Sequence, residues 1–64
     1  MHYKRIKELR EDNDLKQKEI AALLKTTQQN YSKIENGTQR LYADDLKILS
    51  IFYKVSADYI LEIE

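Results

Sequence analysis

Sixty-four residues carry eleven Lys and Arg against eleven Asp and Glu, with one His and no Cys. That length suits one domain, 1–64, well short of the roughly 100–200 residues per domain that would suggest a second. The missing Cys excludes disulfides and thiolate chemistry, and a lone His leaves no conventional zinc site.

The longest apolar run, Ile20 to Leu24, falls far below the about twenty residues of a membrane span. No basic start leads into an apolar stretch, as a secretory signal would require. The expectation is a soluble, cytoplasmic chain with no membrane partner. There is no glycine-rich phosphate loop and no His placed beside a Ser and a carboxylate. Neither an enzyme nor a cofactor is therefore expected. A core this small comes out near thermodynamic break-even, so stability should be marginal or assisted by a partner.

Proline is absent and Gly37 is the single glycine, which disfavours an all-β chain needing many turn residues. Leu, Ile, Lys, Glu and Gln dominate, and all suit helices. The chain reads as all-α, with five helices. The first covers roughly 3–12, with Ile6 and Leu9 inward and Lys4, Arg5, Lys7 and Glu8 toward water. Asn13 and Asp14 break it, because short polar side chains bond nearby backbone and tolerate left-handed conformations. The second runs from about Gln17 to Leu24, with Ile20, Leu23 and Leu24 on one face. Ala21 and Ala22 leave room for another helix to approach.

Lys25 and Thr26 form the next turn, and Thr27 is a suitable N-cap. The third helix spans about Gln28 to Asn36 and ends at Gly37, a residue suited to a left-handed cap. Tyr31 and Ile34 point inward. Gln28, Gln29, Ser32 and Lys33 fall on the other side, Gln28 above Ser32 and Gln29 above Lys33. A loop over 38–42 carries Arg40. The fourth helix, about Ala43 to Tyr53, turns Leu46, Leu49 and Tyr53 inward. Ile48, Ile51 and Phe52 form a second stripe beside that face, either extra core or an interface. Ser56 caps a fifth helix, 57–63, with Ile60 inward. The five tyrosines should divide between core (Tyr31, Tyr53) and surface, and His2 should be solvated.

The informative unit is a short helix, a tight turn and a second short helix with an apolar inner face and an amide-rich outer face. This is what a helix needs to enter a DNA major groove. Glutamine donates and accepts at once and so matches the N6/N7 pair of adenine. Lysine reaches guanine O6/N7 or a phosphate. Polar surface helices are common, so the pattern alone is only moderately specific.

Leu15 to Gly37, LKQKEIAALLKTTQQNYSKIENG, resembles the core motif of the Cro/repressor-like helix-turn-helix family, also called the xenobiotic-response-element family. SKIENG, Ser32 to Gly37, is its most recognisable part, and KVSADYIL, Lys54 to Leu61, resembles the family's ending. The resemblance implies a compact five-helix, lambda-repressor-like DNA-binding domain. It implies that Gln17 holds a phosphate and braces the recognition helix. It assigns Gln28, Gln29, Ser32 and Lys33 to base edges, Thr27 to the helix cap, and Asn36 and Arg40 to the DNA backbone. It also implies a partly buried ion pair, Arg10 with Glu35, joining the first and third helices. There are departures. Lys25 stands where the family has Gly, which implies a strained left-handed lysine. Thr26 replaces an apolar residue, Lys16 replaces a Thr cap, and Leu41-Tyr42 replaces Pro-Ser.

Zero net charge is unusual for a nucleic-acid binder. The charge is polarised, however: residues 16–40 balance at +3 and residues 41–64 at −3. Few phosphate contacts imply a modest salt dependence and reliance on pairing of subunits. With successive major-groove faces about 34 Å apart, a chain this small reads one half-site, so a homodimer is expected. The stripe Ile48, Ile51 and Phe52, with Leu61 and Ile63, is the candidate dimer surface. The leading function is a sequence-specific regulator of transcription on double-stranded DNA, a repressor. The alternative is a protein-interaction module, such as an antitoxin or antirepressor component docking a partner protein. A longer regulator carrying a C-terminal sensor domain is also compatible with the sequence.

Overall fold

The computed structural model describes residues 3–63. They form five helices in the order α1 (Lys4–Asp12), α2 (Gln17–Leu23), α3 (Gln28–Asn36), α4 (Ala43–Tyr53) and α5 (Ala57–Ile60). The fold is all-helical and lambda-repressor-like, with no strand among the described residues. Among the described residues, no helix is long and apolar enough to cross a membrane. The expectation for His2 lies outside the described residues.

One apolar face per helix converges on a shared core. Ile6, Ile20, Ala21, Leu24, Tyr31, Ile34, Leu49 and Ile60 are buried there. Leu9, Leu15, Leu23, Leu41, Leu46, Tyr53 and Val55 pack against it with partial exposure. The helices are too short to be stable alone, so this shared burial rather than propensity holds them. α2 packs on α3, α1 reaches both α3 and α5, and α4 packs on α5.

Every helix ends in the same way. The backbone N–H of Leu15, Thr26, Thr38, Val55 and Ile63 each bonds a carbonyl five residues back, at 2.9 to 3.0 Å. The residue before each lies in the left-handed region: Asp14, Lys25, Gly37, Lys54 and Glu62, with φ between 56 and 81°. This is the Schellman closure, which satisfies carbonyls that a helix end leaves orphaned. Glycine serves it once and larger residues four times.

Four details differ from the sequence reading. α5 is one turn, Ala57–Ile60, not 57–63, because Glu62 turns left-handed and Ile63 bonds back to Asp58 at 2.9 Å. Ala22 is exposed, while Ala21 is buried in the core. Arg5 is not simply solvated. Its Nη1 donates to the Tyr59 carbonyl at 2.7 Å and its guanidinium lies 4.2 Å from the Tyr59 ring centroid, tying α1 to α5. Ile48, Ile51 and Phe52 are exposed, Ile51 at 68%, so the stripe is not extra core.

Candidate nucleic-acid interface

The site is built outward from α3. Thr27 opens this helix, its Oγ1 accepting from the Asn30 backbone N–H at 3.0 Å and so satisfying one of the free donors of the first turn. Beside it, Thr26 Oγ1 accepts from Asn30 Nδ2 at 2.9 Å. Thr26 is thus a polar clasp at the corner between α2 and α3, where an apolar residue would supply packing alone. Lys25, at φ 58°, makes the corner's tight turn.

The helical period then separates two faces. Tyr31, Ile34 and Glu35 are buried, while Gln28, Gln29 and Lys33 are exposed and Ser32 is half-buried. Gln17, at the start of α2, comes alongside. These five residues, Gln17, Gln28, Gln29, Ser32 and Lys33, line one open groove of about 450 Å³. Three carboxamides, a hydroxyl and an ammonium give it a dense set of donors and acceptors, with Lys33 its one charged lining residue. Thr27, Asn36 and Arg40 are exposed but lie outside that lining. Arg40 sits 5.8 Å from the centroid of the exposed Tyr42 ring.

Behind the groove stands a charge pair. Arg10 Nε donates to Glu35 Oε2 at 2.7 Å, and Nη2 donates to Oε1 at 3.2 Å, a two-pronged contact. Arg10 Nη1 donates to the Leu15 carbonyl at 2.9 Å, which fixes the chain leading into α2. Gln17 Nε2 donates to Glu35 Oε1 at 3.1 Å. One carboxylate therefore gathers α1, α2 and α3.

Burial pushes the Glu35 carboxyl up. The hydrogen bonds from Arg10, the nearby Tyr31 hydroxyl and the hydrogen bond from Gln17 outweigh burial and hold it below its ordinary value. The hydrogen bond to Glu35 raises Arg10 in return. The Tyr31 hydroxyl approaches Glu35 closely enough to favour its charge, yet makes no well-formed hydrogen bond, and neither does the buried Tyr53 hydroxyl. Burial pushes both phenols up, Tyr53 to about 12.

Next to Gln17, α2 begins with half a capping box. Glu19 Oε1 accepts from the Lys16 backbone N–H at 3.0 Å, but the lysine side chain has no acceptor with which to reciprocate. Sequence reading missed the Thr26–Asn30 clasp, and of the Gln17–Glu35 contact it had only the bracing role that the resemblance implies for Gln17, without the partner. The spacing of Thr26 and Asn30, one helical turn apart, was a usable signal for the first. Nothing local signals the partner in the second.

Two short helices meet at a clasped corner. The second has one face in the core and the other in an open polar groove. This defines the helix-turn-helix class. Residues 6–60 match the family described as Helix-turn-helix, and the chain belongs to it, as a Cro/C1-type member of a family of DNA-binding regulators. No curated protein and no solved structure matches the chain.

Proposed function

We propose that this protein is a sequence-specific regulator of transcription, a repressor, that inserts α3 into the major groove of double-stranded DNA. One Cro/C1-type domain, residues 1–64, acts in the cytoplasm without a cofactor or catalytic group. Occupying an operator excludes polymerase, which needs binding alone.

The observation that carries this reading is the convergence of Gln17, Gln28, Gln29, Ser32 and Lys33 on one exposed groove. An α-helix fits the major groove, where base edges carry distinguishable donor and acceptor patterns. Gln28 and Gln29 read base edges, with adenine as the natural match for a carboxamide. Ser32 and Lys33 complete the reading face, Lys33 on guanine or a phosphate. Gln17, Thr27, Asn36 and Arg40 contact the DNA backbone.

The described chain extends at most 28 Å, less than the about 34 Å between successive major-groove faces. A homodimer therefore reads two half-sites. Its contact is the exposed stripe Ile48, Ile51 and Phe52 on α4. The same stripe favours a second reading, a protein-interaction module that docks a different partner.

The experiment is selection of bound sequences from random duplexes, followed by titration of the selected site at two salt concentrations. Gln28→Ala and Lys33→Ala should each relax sequence preference at one position, at about 1–3 kcal/mol per lost contact. Preference left intact by both substitutions rejects the assigned face. A protein that selects no duplex but captures a partner encoded beside it fits the second reading instead.

A further inference from the structure

We propose that Glu35 is a positioning residue for the groove: it takes one N–H of the Gln17 carboxamide, and so turns the Gln17 carbonyl oxygen outward as a fixed acceptor. The inference rests on the DNA-reading function proposed above and deepens it.

An ionised carboxylate can only accept, so the Gln17 atom 3.1 Å from Glu35 Oε1 is the amide nitrogen, not the oxygen. Glu35 is 2% exposed and is gripped by two nitrogens of Arg10, so water does not compete and the charge has no other place to go. A surface carboxamide normally flips between its two orientations at little cost. Here a flip would set the Gln17 oxygen against a buried anion.

The orientation is supported from a second direction. Arg10 Nη1 holds the Leu15 carbonyl, two residues before Gln17, so the same ion pair fixes both the backbone entering α2 and the side chain leaving it. Together with the Thr26–Asn30 clasp at the corner, the Glu35–Gln17 contact secures α2 against α3 at both ends.

Gln17 therefore enters the groove with its oxygen and one remaining N–H in a set polarity. The oxygen suits a donor, such as an exocyclic base amine or the amide of Gln28. The remaining N–H suits a phosphate oxygen. Each is prepared before DNA arrives, which lowers the ordering cost of binding.

Two measurements test this. In the free wild-type protein, the Gln17 side-chain amide protons should be shifted away from those of Gln28 and Gln29 and should exchange slowly with water in nitrogen-resolved NMR spectra. A Gln17 amide that exchanges as fast as its neighbours overturns the proposal. The second is a double-mutant cycle on affinity for the selected duplex, using Gln17→Met, Glu35→Gln and the pair. Each single change should weaken binding ~10-fold, and the pair should bind no more weakly than Glu35→Gln alone.

Losses that multiply in the pair mean that Glu35 acts through the fold and not through Gln17. If circular dichroism shows Glu35→Gln unfolded, Gln17→Met must still weaken binding, and unchanged affinity overturns the idea. If the wild type selects no duplex, the proposed function fails, while the NMR measurement still judges the Glu35–Gln17 contact.

Discussion

Glu35 concentrates the electrostatics of this protein in one residue. A buried carboxylate is costly unless paired and hydrogen-bonded, and here Arg10 and Gln17 supply that compensation. Replacing such a pair with apolar residues can be neutral, but removing one partner leaves a charge stranded. Arg10→Met should therefore cost about 3–5 kcal/mol. A chain of this length has a total stability of only roughly 3–10 kcal/mol. A urea titration should find the variant largely unfolded or close to it, and a loss below 1 kcal/mol would show the pair to be solvated.

Stability should also fall at both extremes of pH. The Glu35 carboxyl lies below its ordinary 4.5, so its contribution is full above that value and is lost as pH falls through the lower, folded one. Tyr53 moves from 10.0 up to about 12, and Tyr31 moves the same way. Their contribution is therefore full below pH 10 and is lost as pH rises from 10 toward 12. Asp45, raised by burial and by neighbouring Asp44, opposes Glu35 at the acid end. Melting temperature against pH checks both limbs, and a flat alkaline limb would mean that the two phenols meet water.

At the scale of the elements, the repeated helix closure matters most. Five left-handed positions are required and a single glycine is present, so Asp14, Lys25, Lys54 and Glu62 adopt φ of 56 to 61° with a Cβ in place. Left-handed geometry costs roughly 1–2 kcal/mol for an ordinary residue, with Asp somewhat tolerant. Lys25→Gly and Lys54→Gly should each stabilise the chain by about 1 kcal/mol, raising Tm by roughly 4–8 °C. Thermal melts measure this, and an unchanged or lower Tm would mean that the lysine stems contribute contacts offsetting the strain.

The element types followed from apolar spacing, because each helix has one buried face. The third helix was the most legible: Thr27 caps it, Gly37 closes it, and the period separates Tyr31 and Ile34 from Gln28, Gln29 and Lys33. The end of α5 was less legible. Its apolar residues continue to Ile63, but Glu62 takes a left-handed turn that no glycine or asparagine announces.

At the scale of the whole molecule, the described residues measure 28 × 23 × 19 Å and leave a contiguous apolar face uncovered on α4. Ile48, Ile51 and Phe52 are 37, 68 and 45% exposed, an arrangement suited to a second copy. If the proposed pairing holds, the wild type should sediment as a dimer and the double variant Ile48→Lys, Ile51→Lys as a monomer. A dimer fraction that does not change moves the interface elsewhere on the surface.

Residue spacing and capping chemistry suffice to read five helices, the corner between the second and third, and the polar row along the third, because these depend on neighbours within a turn or two. Contacts between distant parts of the chain do not leave that kind of local trace. The bond from Gln17 to Glu35, the Arg5 anchor on Tyr59 and the exposure of the α4 stripe depend on where whole helices come to rest. The shared core sets those positions, since apolar burial is non-directional and fixes a helix in place only when all its partners are assembled.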